Sequence, residues 1–358
     1  MKDGILMKIL YIDTSLDGHH LGYLAALISG REEDSILVLP KLIENIKCKQ
    51  YLLKNKEKRS RNFKKFYLFI NEIYEIVRAE NPDVIHFLTG DIFYRFFGWG
   101  LFKFRKYKTI ITLHWIRTGF LERVSTKLIC RQITSVVVHS EYMKKYLWQQ
   151  EILNVINIEY PNFNNIKVDA KQVRNDLGLN VNAPVIACIG NTRFDKGLDI
   201  LLKALKGVKE PFKLLIAGKS EAFDEKFILK ETSSYKDKLI LHLHYLTDRE
   251  LAEVIAASDI IALPYRKKFN GASGPLVEGV YLGKCIIGPN HGNLGKTIRD
   301  NHLGYVFETE SIVSLKNTME KALRSRFYTD KVYETYRGHL NVATFKKNHE
   351  ILYRKVLE

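Results

Sequence analysis

Cysteine is scarce in this chain. Cys48, Cys130, Cys188 and Cys285 lie far apart in 358 residues and form no C-x-x-C pair. That spacing argues against a zinc site and against a disulfide scaffold, and it fits a reducing, cytoplasmic setting. Long apolar runs are also missing. No stretch reaches the ~18 apolar residues a membrane span needs. Ile9-Leu10-Tyr11-Ile12 is broken at once by Asp13, and no small-residue cleavage site follows, so the N-terminus does not read as a signal peptide. No D-x-D occurs, which removes an obvious carboxylate pair for holding Mg²⁺ on a diphosphate. Low-complexity segments and solenoid-length repeats are absent. Acidic residues fall well short of basic ones, and the net charge of +16 calls for an anionic partner. Much of the excess sits in Lys41–Lys65, where ten cations face only Glu44 and Glu57. The simplest reading of that segment is a solvated helix with a basic side, and its charge density also suits peripheral contact with anionic lipid at the inner membrane face.

What is present is an alternation of short apolar runs and helical patterns. Lys8–Asp13, Ser35–Pro40, Val84–Leu88, Thr109–His114, Ser135–Ser140 and Val155–Tyr160 read as strands, with helices at His20–Ser29, Asn62–Glu80 and Glu141–Gln150. The runs are continuously apolar, as in a parallel sheet covered on both faces. A pause at Pro161–Ala183 reads as a linker with a short helix. The alternation then restarts with strands at Pro184–Gly190, Phe212–Gly218, Lys238–Leu246, Asp259–Tyr265, Lys284–Pro289 and Gly304–Glu308. Two such series imply an α/β chain of two doubly wound, Rossmann-like domains facing a cleft, with boundaries at 1–165 and 166–327. Ligands of these sheets bind beyond the carboxyl ends of the strands.

Three loops stand at such ends. Gly190-Asn191-Thr192-Arg193-Phe194-Asp195-Lys196-Gly197 follows a strand and opens a helix, whose unpaired amides and dipole favour an anion. Arg193 and Lys196 add charge there, so the loop suits a diphosphate; a solvated loop with two surface cations is the bland alternative. Asn270-Gly271-Ala272-Ser273-Gly274-Pro275-Leu276-Val277-Glu278 lets backbone approach a ligand, places Pro275 in the first helical turn, and sets a lone Glu278 in an apolar helix. A carboxylate there can accept hydrogen bonds from two ribose hydroxyls; otherwise it is a capped helix with a solvated Glu. Leu16-Asp17-Gly18-His19-His20-Leu21-Gly22 lacks the G-x-G-x-x-G of a dinucleotide fold. It is read either as a contact to acceptor or transferred sugar, or as a turn with a capping His. His114 ends a strand and is either functional or a buried structural His. Aromatics and cations interleave over Phe93–Lys108, which suits a membrane interface, stacking on nucleic-acid bases, or a helix with buried rings and a solvated basic face.

The second half carries the resemblance. Val185–Gly190, Asp195-Lys196-Gly197, Leu215–Gly218, Ser258–Tyr265, Ser273–Gly279 and Gly283–Gly288 follow one another in the order and spacing of the retaining nucleotide-sugar glycosyltransferases of family four, which have the GT-B fold. The first half resembles them more loosely, through Gly18-His19-His20, His114 and Val136–Glu141. The resemblance implies that Lys196 binds the donor diphosphate. It places Asn191 where the family carries an assisting Arg, and Asn270 where it carries the first of two Glu. Glu278 matches the second Glu, which holds the ribose. Backbone amides around Ser273, Gly274, Pro275 and Leu276 would serve the phosphates, and His114 matches a His near the transferred sugar. The last segment, 328–358, would cross back to the N-terminal domain.

The expectation is therefore a hexosyltransferase acting with retention on a nucleotide-diphosphate sugar, without a cofactor or metal. Its acceptor would be a glycan or lipid-linked acceptor, in cell-surface polysaccharide assembly. His114, Lys196 and Glu278 are the candidate catalytic residues. Gly18, Asn191, Arg193, Asn270 and Ser273–Leu276 complete the donor side, with His19 and His20 on the acceptor side. Three rivals are a nucleotide-sugar epimerase of the same fold, an inactive relative, and a non-enzymatic binder of nucleic acid or membrane. The sequence shows no RNA-binding or zinc-finger signature for a nucleic-acid partner.

Overall fold

The structure is a computed structural model. It describes residues 7–16, 20–44, 46–55, 62–164, 166–179, 183–269, 271 and 273–358. The chain divides into one unit of Met1–Phe163 with Val342–Glu358 and a second of Asn164–Asn341. Each is built on a parallel sheet.

In the first unit β1 (Ile9–Ile12), β2 (Ser35–Leu39), β3 (Lys49–Leu52), β4 (Val84–Phe87), β5 (Lys108–Thr112), β6 (Ser135–Val138) and β7 (Val155–Asn157) lie in the order β3-β2-β1-β4-β5-β6-β7. Strand β1 pairs on both sides, Ile9 opposite Ser35 and opposite Val84. Both of its faces are buried, and they feed different cores. Leu10 and Ile12 join one apolar cluster, Ile9 and Tyr11 the other. This is the period-two alternation of a strand inside a two-sided sheet. The second unit repeats the plan with β8 (Val185–Ile189), β9 (Lys213–Ala217), β10 (Leu239–His242), β11 (Ile260–Ala262), β12 (Cys285–Pro289) and β13 (Gly304–Phe307), ordered β10-β9-β8-β11-β12-β13. The strand order reverses beside β1 in one sheet and beside β8 in the other. Loops leaving those strands and their neighbours β4 and β11 therefore diverge, which opens a crevice at each switch point.

Two expectations change. The described part of the basic run Lys41–Lys65 is not one helix. Lys49–Leu52 forms edge strand β3 on β2, and the helix begins only at Phe63. Tyr51 and Lys49 both reach Glu80, whose carboxyl is held at about 2 mainly by these partners and Lys8 against the opposing effect of burial. The C-terminal segment is also divided. Val342–Leu357 packs in the first unit, where Tyr353 Oη bonds His86 Nδ1 at 2.8 Å and Arg31 pairs with Glu350 at 2.9 Å. Helix Lys331–His339 stays with the second unit, because buried Tyr333 donates to the carbonyls of Val280 and Lys284 at 3.1 and 2.9 Å. Replacing Tyr333 by Phe removes the one hydroxyl proton these carbonyls share; Val280 keeps the Gly283 N–H at 3.0 Å, so the Lys284 carbonyl is the one left short of this donor, at a cost of about 1–3 kcal/mol. Hydrogen exchange is expected to speed up in Lys331–His339 and to stay unchanged in Val342–Leu357.

Candidate active site

The second unit assembles one cluster at the carboxyl ends of β8 and β11. Gly190 leaves β8 with φ +105°, and a Cβ there would overlap Lys196 Nζ. The Lys196 ammonium thus folds back over the strand end, into space that only glycine leaves open. Gly197, at φ +65°, turns the chain into helix Leu198–Leu205. Its Cα lies so close to Pro264 that a Cβ would strike the Pro264 carbonyl oxygen. Among the described residues no carboxylate forms an ion pair with Lys196.

The loop is held by contacts that sequence reasoning missed. Arg266 grips Asp199 with two hydrogen bonds of 3.0 and 2.8 Å, donates to the Phe194 carbonyl, and stacks its guanidinium 4.0 Å from the centre of the Phe194 ring. Its backbone N–H donates to the Asp195 carbonyl at 2.9 Å. Buried Thr192 ties the loop to the one after β9, its hydroxyl donating to the Phe223 carbonyl at 2.7 Å and accepting from Glu221 N–H at 2.8 Å. Tyr265, 2% exposed, lies between the two loops. Lys196 Nζ sits 5.7 Å from its ring centre, and its hydroxyl is 3.4 Å from Ser273 Oγ.

Two donor-side residues are engaged within the protein. Arg193 clamps Asp195 through Nε and Nη2 at 2.9 and 2.8 Å, which lowers the carboxyl's pKa and raises the guanidinium's. Asn191 donates to Glu221 at 2.6 Å. The helix Gly274–Tyr281 begins as expected, with Ser273 as cap. The Ser273 hydroxyl accepts from Leu276 N–H at 3.3 Å, and Pro275 has no N–H to give. The amides expected to serve an anion at Ser273–Leu276 are therefore fewer than the sequence implied. The Gly274 N–H and the positive end of the helix remain. Gly18, His19 and Asn270 lie outside the described residues.

Glu278 lies one turn into that helix and is 6% exposed. Burial, and secondarily the Asp248 carboxylate, push its carboxyl up to about 7, against a lowering hydrogen bond from Asn164. A carboxyl kept out of water in this way suits a polar ligand better than a structural role.

The first unit gathers a second cluster at its own switch point. Asp13, after β1, accepts from Thr89 Oγ1 and pairs with His20 Nδ1 at 3.0 Å. His114, after β5, lies with its ring centre 5.7 Å from His20 and 5.1 Å from His139. Its Nε2–H donates to the Leu88 carbonyl at 2.8 Å, and its backbone N–H donates to buried Asp91 at 3.1 Å. In a neutral His114 ring, Nδ1 is then the nitrogen free to accept. His139 gives its Nδ1 proton to the Ile158 carbonyl at 2.8 Å, and burial holds its pKa well below the usual imidazole range. Its Nε2 is buried without a partner among the described residues. His139 was not singled out from sequence; its place directly after an all-β-branched strand, Val136-Val137-Val138, was the available signal. Among the described residues, no group of three or more His, Cys, Asp and Glu is arranged to hold a metal ion.

Residues 169–337 match the family of Glycosyl transferases group 1. That stretch covers nearly the whole second unit. The architecture of the chain is the GT-B fold of glycosyltransferases. HepE of Anabaena in complex with UDP superposes at TM-score 0.77, with 15% identity over 98% of this chain and all of that one. A glycosyltransferase of Rickettsia africae gives 0.76 and 17%, over 98% of this chain and 99% of the other. Among curated proteins, a glycogen synthase of Thermodesulfovibrio yellowstonii is 24% identical over 180 residues, 49% of this chain and 35% of that protein. The chain spans about a third of the length of the curated relatives it matches.

Glu278 makes stability depend on pH. The unfolded chain releases this proton near 4.5, whereas the folded chain keeps it until about 7. Folded stability therefore falls as pH rises through that window, by about 3 kcal/mol in all. Glu278→Gln is expected to remove this fall. Its urea midpoint, compared with that of the parent chain, should gain between pH 4.5 and 8; parallel midpoints would show that Glu278 is not held protonated.

Proposed function

We propose that the protein is a retaining hexosyltransferase that takes its sugar from a nucleoside diphosphate sugar bound in the second unit. The observation that carries this reading is the cluster at the β8 and β11 ends. A half-buried ammonium without an ion-pair partner, a helix N-terminus and a buried carboxylic acid are held there by one set of contacts. Lys196 and the Gly274 N–H meet the diphosphate, and Glu278 accepts from the ribose hydroxyls. The UDP complex of HepE supports a donor of this class.

Transfer breaks the bond between the anomeric carbon and the diphosphate oxygen and forms one from that carbon to the acceptor hydroxyl. The hydroxyl proton passes to the leaving diphosphate oxygen. Negative charge grows on the diphosphate as the bond lengthens, so a fixed cation there lowers the barrier more than it tightens ground-state binding. Protein charge takes the part that a metal ion plays elsewhere. The first unit receives a glycan or lipid-linked acceptor, and His114 and His20 face it with imidazoles that orient hydroxyls. Arg193 acts through Asp195 by shaping the loop, not by touching the phosphates. Cell-surface polysaccharide assembly is the pathway class that fits.

Thermal shifts with UDP-, ADP-, GDP- and CMP-sugars identify the donor, since a ligand at about 100 times its dissociation constant adds about 2.7 kcal/mol of stability. Lys196→Ala is expected to weaken that donor roughly ten- to a hundredfold, the worth of one charge-assisted hydrogen bond. Glu278→Ala is expected to abolish sugar transfer, and EDTA to leave the parent activity unchanged. Unaltered kinetics in Glu278→Ala would reject the assignment.

A further inference from the structure

The helix Phe120–Cys130 in the first unit carries apolar side chains on its outward face as well as its inward one. Its buried side carries Ser125, Thr126, Ile129 and Cys130. Ser125 Oγ donates to the Tyr94 carbonyl at 2.7 Å, and Thr126 Oγ1 donates to the Glu122 carbonyl at 2.8 Å. Most of its apolar side chains nevertheless face water. Phe120 is 73% exposed, Leu121 65% and Leu128 41%, with Val124 between them. Positions 121, 124 and 128 share one helix face.

Cations border that face. Arg123, Lys127 and Arg131 fall on the same outward side at helical spacing. The helix's single acid, Glu122, is turned back to Gly119 N–H and to Arg117 at 3.1 and 3.4 Å.

The patch continues past the helix end. Gln132 Nε2 donates to the Gly98 carbonyl at 3.3 Å. Next to Gly98, Trp99 stacks edge-on against exposed Phe63 at 4.9 Å and exposed Phe102 at 6.0 Å. Lys103 lies 5.9 Å from the centre of the exposed Tyr67 ring. Among the described residues no helix is long and apolar enough to cross a membrane, so these rings and leucines belong to a surface.

We infer that the outward face of helix Phe120–Cys130, with Phe63, Tyr67 and Phe102, is a docking surface for an anionic lipid bilayer. Leucine, valine and phenylalanine side chains enter the headgroup boundary while the bordering arginines and lysines pair with lipid phosphates. Charge selects this occupant over a second copy of the chain, because self-pairing would set Arg123, Lys127 and Arg131 against their own counterparts. The inference stands on the first unit alone and is independent of the donor assignment. It does fit a lipid-linked acceptor, since the helix begins six residues after His114.

The test is co-sedimentation of the full chain with phosphatidylcholine vesicles, with and without roughly one-third phosphatidylglycerol. Binding is expected to the anionic vesicles only, and to weaken in high salt. The combined change Leu121→Ser, Val124→Ser and Leu128→Ser is expected to lower partitioning at least about tenfold. Circular dichroism and donor-induced thermal shift should be unchanged, because all three side chains are exposed. Lys127→Glu, a milder change, is expected to lower it at least about fivefold. Equal binding by a folded triple variant, or no binding by the parent chain, would overturn the inference. So would a parent dimer in size-exclusion chromatography that the triple variant dissociates.

Discussion

The candidate site depends on one placement, that of the Lys196 ammonium over Gly190 at the carboxyl end of β8. A flexible lysine would lose most of its electrostatic value by wandering in water. Here its backbone is fixed on both sides. The left-handed turn at Gly197 presses against Pro264, and Arg266 binds Asp199 and the carbonyl oxygens of Phe194 and Asp195. The loop after β8 is thus locked to the loop after β11. Tyr265, on that second loop, underlies the lysine and reaches the cap of the helix that carries Glu278. Preorganisation of this kind gives a single cation leverage on a charge that develops only in the transition state.

Glu278 is the counterpart of that lysine. Burial, with the Asp248 carboxylate, makes an ionised Glu278 costly, and the Asn164 hydrogen bond does not offset it, so the pKa rises. Ribose hydroxyls would add further hydrogen bonds to the carboxylate and so favour loss of this proton. The first unit uses the opposite strategy. His86, His139 and His349 are buried and held neutral; His86 links Tyr353 to Thr112, and His349 meets the Tyr23 hydroxyl. Neutral imidazoles suit the orientation of hydroxyls better than the binding of phosphate.

Much of this was legible in the sequence, for reasons that also explain the failures. Strands buried on both faces announce themselves as unbroken apolar runs, and twelve of the thirteen strands among the described residues were anticipated. The exception, Lys49–Leu52, is a half-exposed edge strand embedded in a cationic run, where charge obscured the β pattern. The helix Phe120–Cys130 was missed because most of its apolar residues face outward and half of its buried side is Ser125 and Thr126, which blurs the apolar period. Lys196, Ser273 and Glu278 were readable because loop composition and helix-start chemistry are local. Tyr265 and Arg266 were not, because their roles arise from partners as far as 72 residues away in the chain. The Arg193–Asp195 clamp spans two residues and could have been foreseen. It shows that a cation in an anion-friendly loop is available only when no nearby carboxylate takes it.

The decisive measurement is a crystal structure of the protein with its donor sugar nucleotide bound. The diphosphate is expected against Lys196 Nζ and the Gly274 N–H, with both ribose hydroxyls on Glu278. A nucleotide seated elsewhere, with Lys196 and Glu278 untouched, would contradict that placement.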